Sequence, residues 1–457
     1  MFNDFKWLTS HGLGVEVHCK FSHVSIIMRS LKTISKRPIG IDLFAGAGGL
    51  SLGFEQAGFD IEAAVEIDPI HCATHEFNFP RSKVICASVV DVTATEIRRR
   101  ARLECADIDV VFGGAPCQGF SMMGKRALDD QRNQLVFHYV RLVAELQPKF
   151  CVFENVKGLT LGKHAQFLDE LIVALGVAGY QVRLPYHVLN ASDYGVPQDR
   201  RRLFLVGARA DQDMPNYPNP VKQKTTVWDA IGDLPDADQF PELVASDSVA
   251  TTWLSESIYA RRMRGLAFDP SDFGYRRNFD ADVLTSSLRT GHTALSQQRF
   301  LATGNGDTEH ISRFKKLHPD GFCNTLRAGT DSARGAFTSP RPIHPFLPRV
   351  ITVREAARLH SYPDWFRFHT TKWHGFRQIG NSVPPLMGRA VALQIMAALG
   401  QAPEKPELIL QTGDARLLTF QMWHASQHFG VAKNVIAQRT RKPLSDTATR
   451  SIEEAYA

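Results

Sequence analysis

Between Pro38 and about Arg209, short apolar runs rich in β-branched residues alternate with stretches of helical period. The runs are IGIDLF, IEAAVEID, KVICAS, DVVFGG, FCVFENV and RRLFLVGA, and between them EIRRRARLE and LVFHYVRLVAEL repeat their apolar positions every three to four residues. Apolar strands separated by amphipathic helices predict an α/β fold, a doubly wound and mostly parallel sheet wrapped by helices. Ligands bind such a sheet outside the carboxyl ends of its strands. The residues that follow each run are therefore where chemistry is expected.

The pattern changes at about Asp211. Residues 211–350 are rich in proline, glycine and aromatics and show little clean periodicity. From Asp211 to Glu256 there are nine acidic residues against two lysines, and from Ser257 to Val350 fourteen Lys or Arg against eight Asp or Glu. Tyr259, Phe273, Tyr275, Phe300, Phe314, Phe322 and Phe337 are interleaved with those cations, as on a surface that holds phosphates and probes bases. Helical pattern resumes at TVREAARLHSYPDWF, and GRAVALQIMAALG is strongly amphipathic. The expected organisation is an extension (1–37), a catalytic domain (38–210), a smaller irregular domain (211–350), a segment returning to the first domain (351–400) and a second extension (401–457). Met28 lies just before the patterned region, which raises the possibility of an upstream start codon in the head.

Composition narrows the class. The sequence has 457 residues, 44% hydrophobic and 22% charged, as in a globular protein of two or three structural units. No run reaches the roughly 18 apolar residues of a membrane span, and no secretory signal is readable, so a cytoplasmic location is expected. Seven widely spaced cysteines without a CxxC pair indicate neither a disulfide framework nor a metal site. Six suit small buried hydrophobes. Cys117, in GGAPCQGFS, does not.

DLFAGAGGLSLGFEQAGF places a strand, then Gly46, Gly48 and Gly49, then a helix from about Leu50. Glycines there let the backbone turn and approach a ligand closely. A dinucleotide fingerprint would put a third glycine where Ser51 stands, so that pattern is not met. Glu66, at the end of the next strand, is placed to accept from two ribose hydroxyls, and Asp91, after the third, from the exocyclic amine of an adenine. These acids fit an adenosine ligand that needs no pyrophosphate cradle, such as S-adenosylmethionine.

Cys117 follows a strand end, where its thiolate can act as a soft, reversible nucleophile. The next strand closes in FENV and brings Glu154 to the same edge. In QDRRRLF, Arg200 and Arg202 are two apart and point to one side, with Arg201 on the other. The pair could hold a phosphate and orient a carboxylate or base oxygen.

At this point the sequence resembles the DNA (cytosine-5) methyltransferase family of the bacterial restriction-modification type. DLFAGAGGLSLGFEQAGF, EIDP, GGAPCQGFS, ENV, QDRRR, TVREAARLHSYPDWF and RQIGNSVPP stand in the family's order, across roughly Ile39 to Leu399 apart from the variable block. The resemblance implies a class I AdoMet-dependent methyltransferase fold. It makes Cys117 the nucleophile that adds to carbon 6 of cytosine, Glu154 the residue that contacts the base, and Arg202 the residue that orients the site with Arg200 beside it. Phe44, Ala45, Gly46, Gly48, Gly49, Leu50, Glu66, Ile67, Asp91, Val92, Pro116, Leu135, Asn381 and Val383 match positions around S-adenosylmethionine.

The implied substrate is double-stranded DNA, from which the target base is extruded. The segment from Gln118 to Asn133 resembles the loop that closes over that base, with Ser121, Lys125 and Arg126 as candidate DNA contacts. Residues 211–350 match the target-recognition domain in position, although nothing in them names the recognition sequence. A monomer is expected, with a cognate restriction endonuclease as a possible partner. The alternatives are a tRNA cytosine-5 methyltransferase, which lacks a large recognition block, and a non-catalytic DNA-binding regulator, which needs no intact Cys117, Glu154 and Arg202.

Overall fold

The computed structural model describes residues 37–115, 134–254, 257–329 and 341–435. The six apolar runs form β1 (Ile39–Leu43), β2 (Asp60–Glu66), β3 (Lys83–Cys86), β4 (Val110–Gly113), β5 (Phe150–Val156) and, late in the catalytic segment, β9 (Arg201–Arg209). Three short strands that the pattern does not announce, β6 (Tyr180–Val182), β7 (His187–Asn190) and β8 (Gln198–Asp199), precede β9. The main sheet has the order β3-β2-β1-β4-β5-β9-β6, with β7 also paired to β9. Neighbours from β3 to β5 run parallel, whereas β9 is antiparallel to β5, β6 and β7. The order reverses between β1 and β4, and that switch point opens a crevice at their carboxyl ends.

Helices α1 (Gly49–Gln56), α2 (Pro69–Asn78), α3 (Ala94–Ala101), α4 (Gln134–Leu146) and α5 (Lys163–Val177) fill the connections. Local chemistry starts two of them. Asp68 Oδ1 accepts from Ile70 N–H at 3.0 Å with Pro69 at the first helical position, and Thr93 Oγ1 accepts from Glu96 N–H at 3.2 Å. On one face of the sheet, Ile97 of α3, Val143 of α4 and Phe167 of α5 share a core with Leu43, Val65 and Phe153. On the other, Phe54 of α1 stacks on Phe112, ring centroids 3.8 Å apart.

Further along are α6 (Val227–Ile231), α7 (Ile258–Met263), α8 (Ala294–Ala302), α9 (Val353–Leu359), α10 (Lys372–Asn381), α11 (Pro385–Ala398) and α12 (Met422–Phe429). Val391 and Ile395 of α11 join the Phe54 and Phe112 core, so a helix far along the chain from α1 completes the first domain. The approach is close. A Cβ on Gly53 would sit 2.7 Å from Arg389 N and Pro385 O, so only glycine fits there.

Residues 211–350 share a core with α9 and the segment after it: Ile231, Tyr259, Leu284 and Leu317 pack with Ala356, Leu359 and Phe366. Here the sequence reading needs correction. Much of the basic, aromatic composition is interior, because Tyr259, Tyr275, Phe300, Arg264, Arg277, Lys316, Arg341 and Arg349 are all buried. Arg277 donates to both Glu55 carboxylate oxygens, at 3.0 and 2.8 Å, and Arg349 to both of Glu355, at 2.9 and 2.8 Å. Arg358 of α9 lies fully buried between Asp233 and Asp364. Burial of a guanidinium demands a partner charge or a full set of hydrogen-bond acceptors. Arg261, Arg262, Arg276, Arg313 and Arg327 are the exposed arginines of this block among the described residues.

Helix α9 opens on a reciprocal cap: Thr352 Oγ1 accepts from Glu355 N–H at 3.2 Å, and Glu355 Oε2 accepts from Thr352 N–H at 2.6 Å. Thr352→Ala is expected to cost about 1 kcal/mol, seen as a lower urea midpoint with an unchanged slope. The second extension, which carries no motif, is also structured: Leu417 and Leu418 pack on Ala73 and Phe77 of α2, and Gly413 N–H donates to Phe77 O at 2.8 Å. Among the described residues no helix is long and apolar enough to cross a membrane.

Candidate active site

The loop after β1 turns through residues in the left-handed region: Phe44 at φ 65°, Gly46 at 56° and Gly48 at 101°. A Cβ on Gly46 would meet nothing within 4 Å, so this glycine faces open space at the crevice. One on Gly49 would meet Tyr362 Oη and Val383 O, both at 2.5 Å. Glycine is needed at the first for conformation and at the second for approach. Glu66 supports the loop from the end of β2: its Oε2 accepts from Gly46 N–H and its Oε1 from Asp68 N–H, each at 2.8 Å. A carboxylate oxygen has two lone pairs, so both oxygens keep acceptor capacity toward the crevice.

Ile67, next to Glu66 in the chain, and Val90, in the connection after β3, are exposed apolar side chains. Asp91, which follows Val90, is exposed and lies near His138 of α4. Arg141 of α4 ties this corner down by donating to Val89 O at 2.7 Å and Val92 O at 3.0 Å. Leu135, at the start of α4, is half-buried. Glycine backbone, apolar floor and two carboxylates suit an adenosine ligand. Of the other residues expected there, Ala45, Leu50 and Val383 are buried and Asn381 is exposed, while Val92 has its side chain in the core, its N–H donating to Ser88 O and its C=O, which accepts from Arg141, keeping one lone pair for a ligand.

The next two strands carry the second half of the site. In the antiparallel register Val156 faces Arg202 and Glu154 faces Phe204, which puts Glu154 and Arg202 on one face as diagonal neighbours. They pair, Arg202 Nε to Glu154 Oε1, at 3.0 Å. Gly114 leaves the room, since a Cβ there would collide with the Glu154 carboxylate. Burial raises the Glu154 carboxyl above its usual range, and Arg202 and then Arg200 pull it back only in part. Asn155 donates to Ala115 O at 3.1 Å and so grips the chain two residues before Cys117.

Arg200 takes a different place from the one its spacing suggests. It is on the inner side with Arg202, while Arg201 is exposed, but its guanidinium donates to three backbone carbonyls: Leu326 O at 2.8 Å, Gly380 O at 2.9 Å and Ser382 O at 2.8 Å. It is 1% exposed, and reaches Glu154 by charge, not by contact. Gln198 works alongside it, donating to Leu359 O at 3.2 Å and accepting from Leu326 N–H at 3.1 Å. Together they fasten the end of the irregular block and the segment at 380–383 to the catalytic sheet. Pro116, Cys117, Ser121, Lys125 and Arg126 lie outside the described residues. Gln198, Asn155 and Gly114 escaped the sequence reading. Gln198 is revealed by its pairing with Cys323, and Gly114 and Asn155 by the β4–β5 register, neither of which is local information.

Residues 40–397 match the family model for the C-5 cytosine-specific DNA methylase. The chain is 65% identical over 418 residues to the Type II methyltransferase M.XorII of Xanthomonas oryzae pv. oryzae, covering 92% of this chain and 98% of that protein. It is 32% identical to the Type II methyltransferase M.AgeI of Thalassovita gelatinovora, over 79% of this chain and 99% of that one. A solved structure of an Escherichia coli prophage-encoded protein, described as a DNA modification methyltransferase, superposes with a TM-score of 0.66 at 36% identity. It covers 80% of this chain and 100% of its own.

Proposed function

Because this chain belongs to the C-5 cytosine-specific DNA methylase family, we propose that Cys117, Glu154 and Arg202 convert a flipped-out cytosine to 5-methylcytosine through a covalent Cys117 adduct. The chain is a DNA (cytosine-5) methyltransferase, similar throughout to Type II enzymes. The observation that carries the finer reading is the Glu154–Arg202 pair, 3.0 Å apart, at the same sheet edge as the glycine loop and Glu66.

S-adenosylmethionine, held by the Gly46 to Leu50 loop, Glu66, Ile67, Asp91 and the backbone of Val92, with Leu135, Asn381 and Val383 around it, supplies an electrophilic methyl group. Carbon 5 of cytosine is too weak a nucleophile to take it unaided. Cys117 adds as thiolate to carbon 6 and turns the ring into an enamine. Glu154 holds a proton at the ring nitrogen and accepts from the exocyclic amine, which stabilises the charge that the addition creates. Arg202 keeps the Glu154 carboxyl in place, and Arg200 keeps the strand end and the 380–383 segment in register. Once carbon 5 is methylated, loss of its proton and departure of Cys117 restore the ring.

Residues 211–350 select the DNA sequence, and Ser121, Lys125 and Arg126 contact the duplex around the extruded base. The enzyme works as a monomer and protects DNA against an endonuclease of the same specificity. Methyl incorporation from labelled cofactor into duplex DNA, with tRNA as the control, tests the substrate. Bisulfite sequencing of DNA from expressing cells reads out the methylated sequence as cytosines protected from conversion, and absence of any protected site would refute the assignment. Asn155→Ala is expected to lower kcat about tenfold while the affinity for S-adenosylmethionine is unchanged, because it frees Ala115 O and the root of the Cys117 segment without touching the glycine loop. Single-turnover methylation and calorimetry separate the two.

A further inference from the structure

Beneath the glycine loop lie three buried polar side chains that the reaction does not use. Asp42 is the penultimate residue of β1, Ser51 stands in the first turn of α1 and His75 in α2, and they are 1%, 0% and 0% exposed. Ser51 Oγ donates to Asp42 Oδ2 at 2.5 Å and lies 3.2 Å from His75 Nε2. His75 Nδ1 has no hydrogen-bond partner, and its ring packs on Phe79 with centroids 4.5 Å apart. A buried lone pair without a partner costs less than a buried N–H without one. The proton therefore belongs on Nε2, and the path runs one way: His75 Nε2–H to Ser51 Oγ, and Ser51 O–H to Asp42. Ser51 occupies the position where a dinucleotide site would carry its third glycine. A side chain there, in place of a ligand's pyrophosphate, links three elements from below.

We propose that Asp42, Ser51 and His75 are positioning residues of the cofactor loop, joined in a buried hydrogen-bond path that holds the loop in its ligand-binding shape. This rests on the reading of the loop as the S-adenosylmethionine site. Glu66 presses on the same loop from β2, and its charge and Asp42's repel. A ligand that covers the crevice displaces the water that screens that repulsion, so it binds best when Asp42 carries its proton. Among the described residues, His75, Tyr139 and Tyr362 also face Asp42, and they do not titrate between pH 7 and 9. Burial holds the His75 imidazole neutral, down to about 3, and pushes the hydroxyls of Tyr139 on α4 and Tyr362 after α9 far up. Burial, with a further push from Glu66, raises Asp42 to about 8 against the Ser51 hydrogen bond.

The test is binding of S-adenosylhomocysteine by calorimetry from pH 6.5 to 9.5, with wild type, Asp42→Asn and Ser51→Ala. Asparagine still accepts from Ser51 but cannot ionise. Its Kd is expected to match the wild type at pH 7 within about twofold, and wild-type affinity should then fall about tenfold more than that of Asp42→Asn by pH 9.5. Titration of the ligand itself is common to both proteins and cancels. Ser51→Ala should weaken binding about tenfold at every pH, with thermal unfolding confirming that it folds. Parallel pH profiles for wild type and Asp42→Asn, or unchanged affinity in folded Ser51→Ala, would overturn the proposal. Wild type that binds no S-adenosylhomocysteine at pH 7 would instead overturn the cofactor reading on which it rests.

Discussion

Cys117→Ala is expected to lose methyl transfer by roughly 10⁴-fold or more, with cofactor affinity retained. The size follows from the chemistry of the substrate. Without addition at carbon 6, carbon 5 has no enamine character, and no repositioning of the base supplies it. Arg202 and Glu154 stabilise charge that develops only after the thiolate has added, so their contribution disappears with it and the loss is not shared out among residues. Labelled-methyl incorporation into duplex DNA measures the rate. A second readout isolates the covalent step: DNA with 5-fluorocytosine at the target position cannot lose a proton from carbon 5, so it should stay attached to wild type through denaturing electrophoresis and not to the variant. Equal methylation by both proteins would rule the mechanism out.

Glu154→Gln comes next in size, with a fall in kcat of about 10² to 10³. Glutamine keeps the shape and the hydrogen bonds but has no proton to hold at the ring nitrogen. The pH dependence tests the same point with a definite sign. Burial lifts the Glu154 carboxyl above the usual glutamate range, with Arg202 and Arg200 opposing, so the protonated form persists to higher pH than in a free side chain. On the proposed mechanism the protonated form is the competent one, so kcat is expected to decline as pH rises through the raised value. Thiolate formation at Cys117 acts in the opposite direction, and the wild-type profile is bell-shaped. In Glu154→Gln the alkaline decline should vanish while the acid limb remains. Single-turnover rates from pH 5.5 to 9 show whether it does, and an unchanged alkaline limb would remove Glu154 as the proton holder.

Local pattern carried the central sheet because strands buried on both faces are written as apolar runs, and a parallel sheet gathers their ends at one edge. That is why Glu66 and Glu154 could be singled out from sequence alone. The strands Tyr180–Val182 and His187–Asn190 were missed because each is too short for a period to show, and they exist only as partners of β9. The second extension was unreadable for a related reason: Leu417 and Leu418 gain their meaning from Ala73 and Phe77, far away in the chain.

Arginine is where tertiary structure had the last word. Two residues apart on one strand, Arg200 and Arg202 look alike in sequence. One meets the Glu154 carboxylate, whereas the other meets three carbonyls from segments more than 120 residues away. In the same way the basic block looked like a phosphate-binding surface, until Arg277 and Arg349 proved to be buried against Glu55 and Glu355. The amino-acid sequence by itself determined the six apolar strands, the glycine turn and the chemical groups at the sheet edge, since these depend on short-range periodicity and backbone freedom. Which charges face a ligand and which hold the fold together was decided only by the tertiary structure, because burial and ion pairing depend on residues distant in the chain.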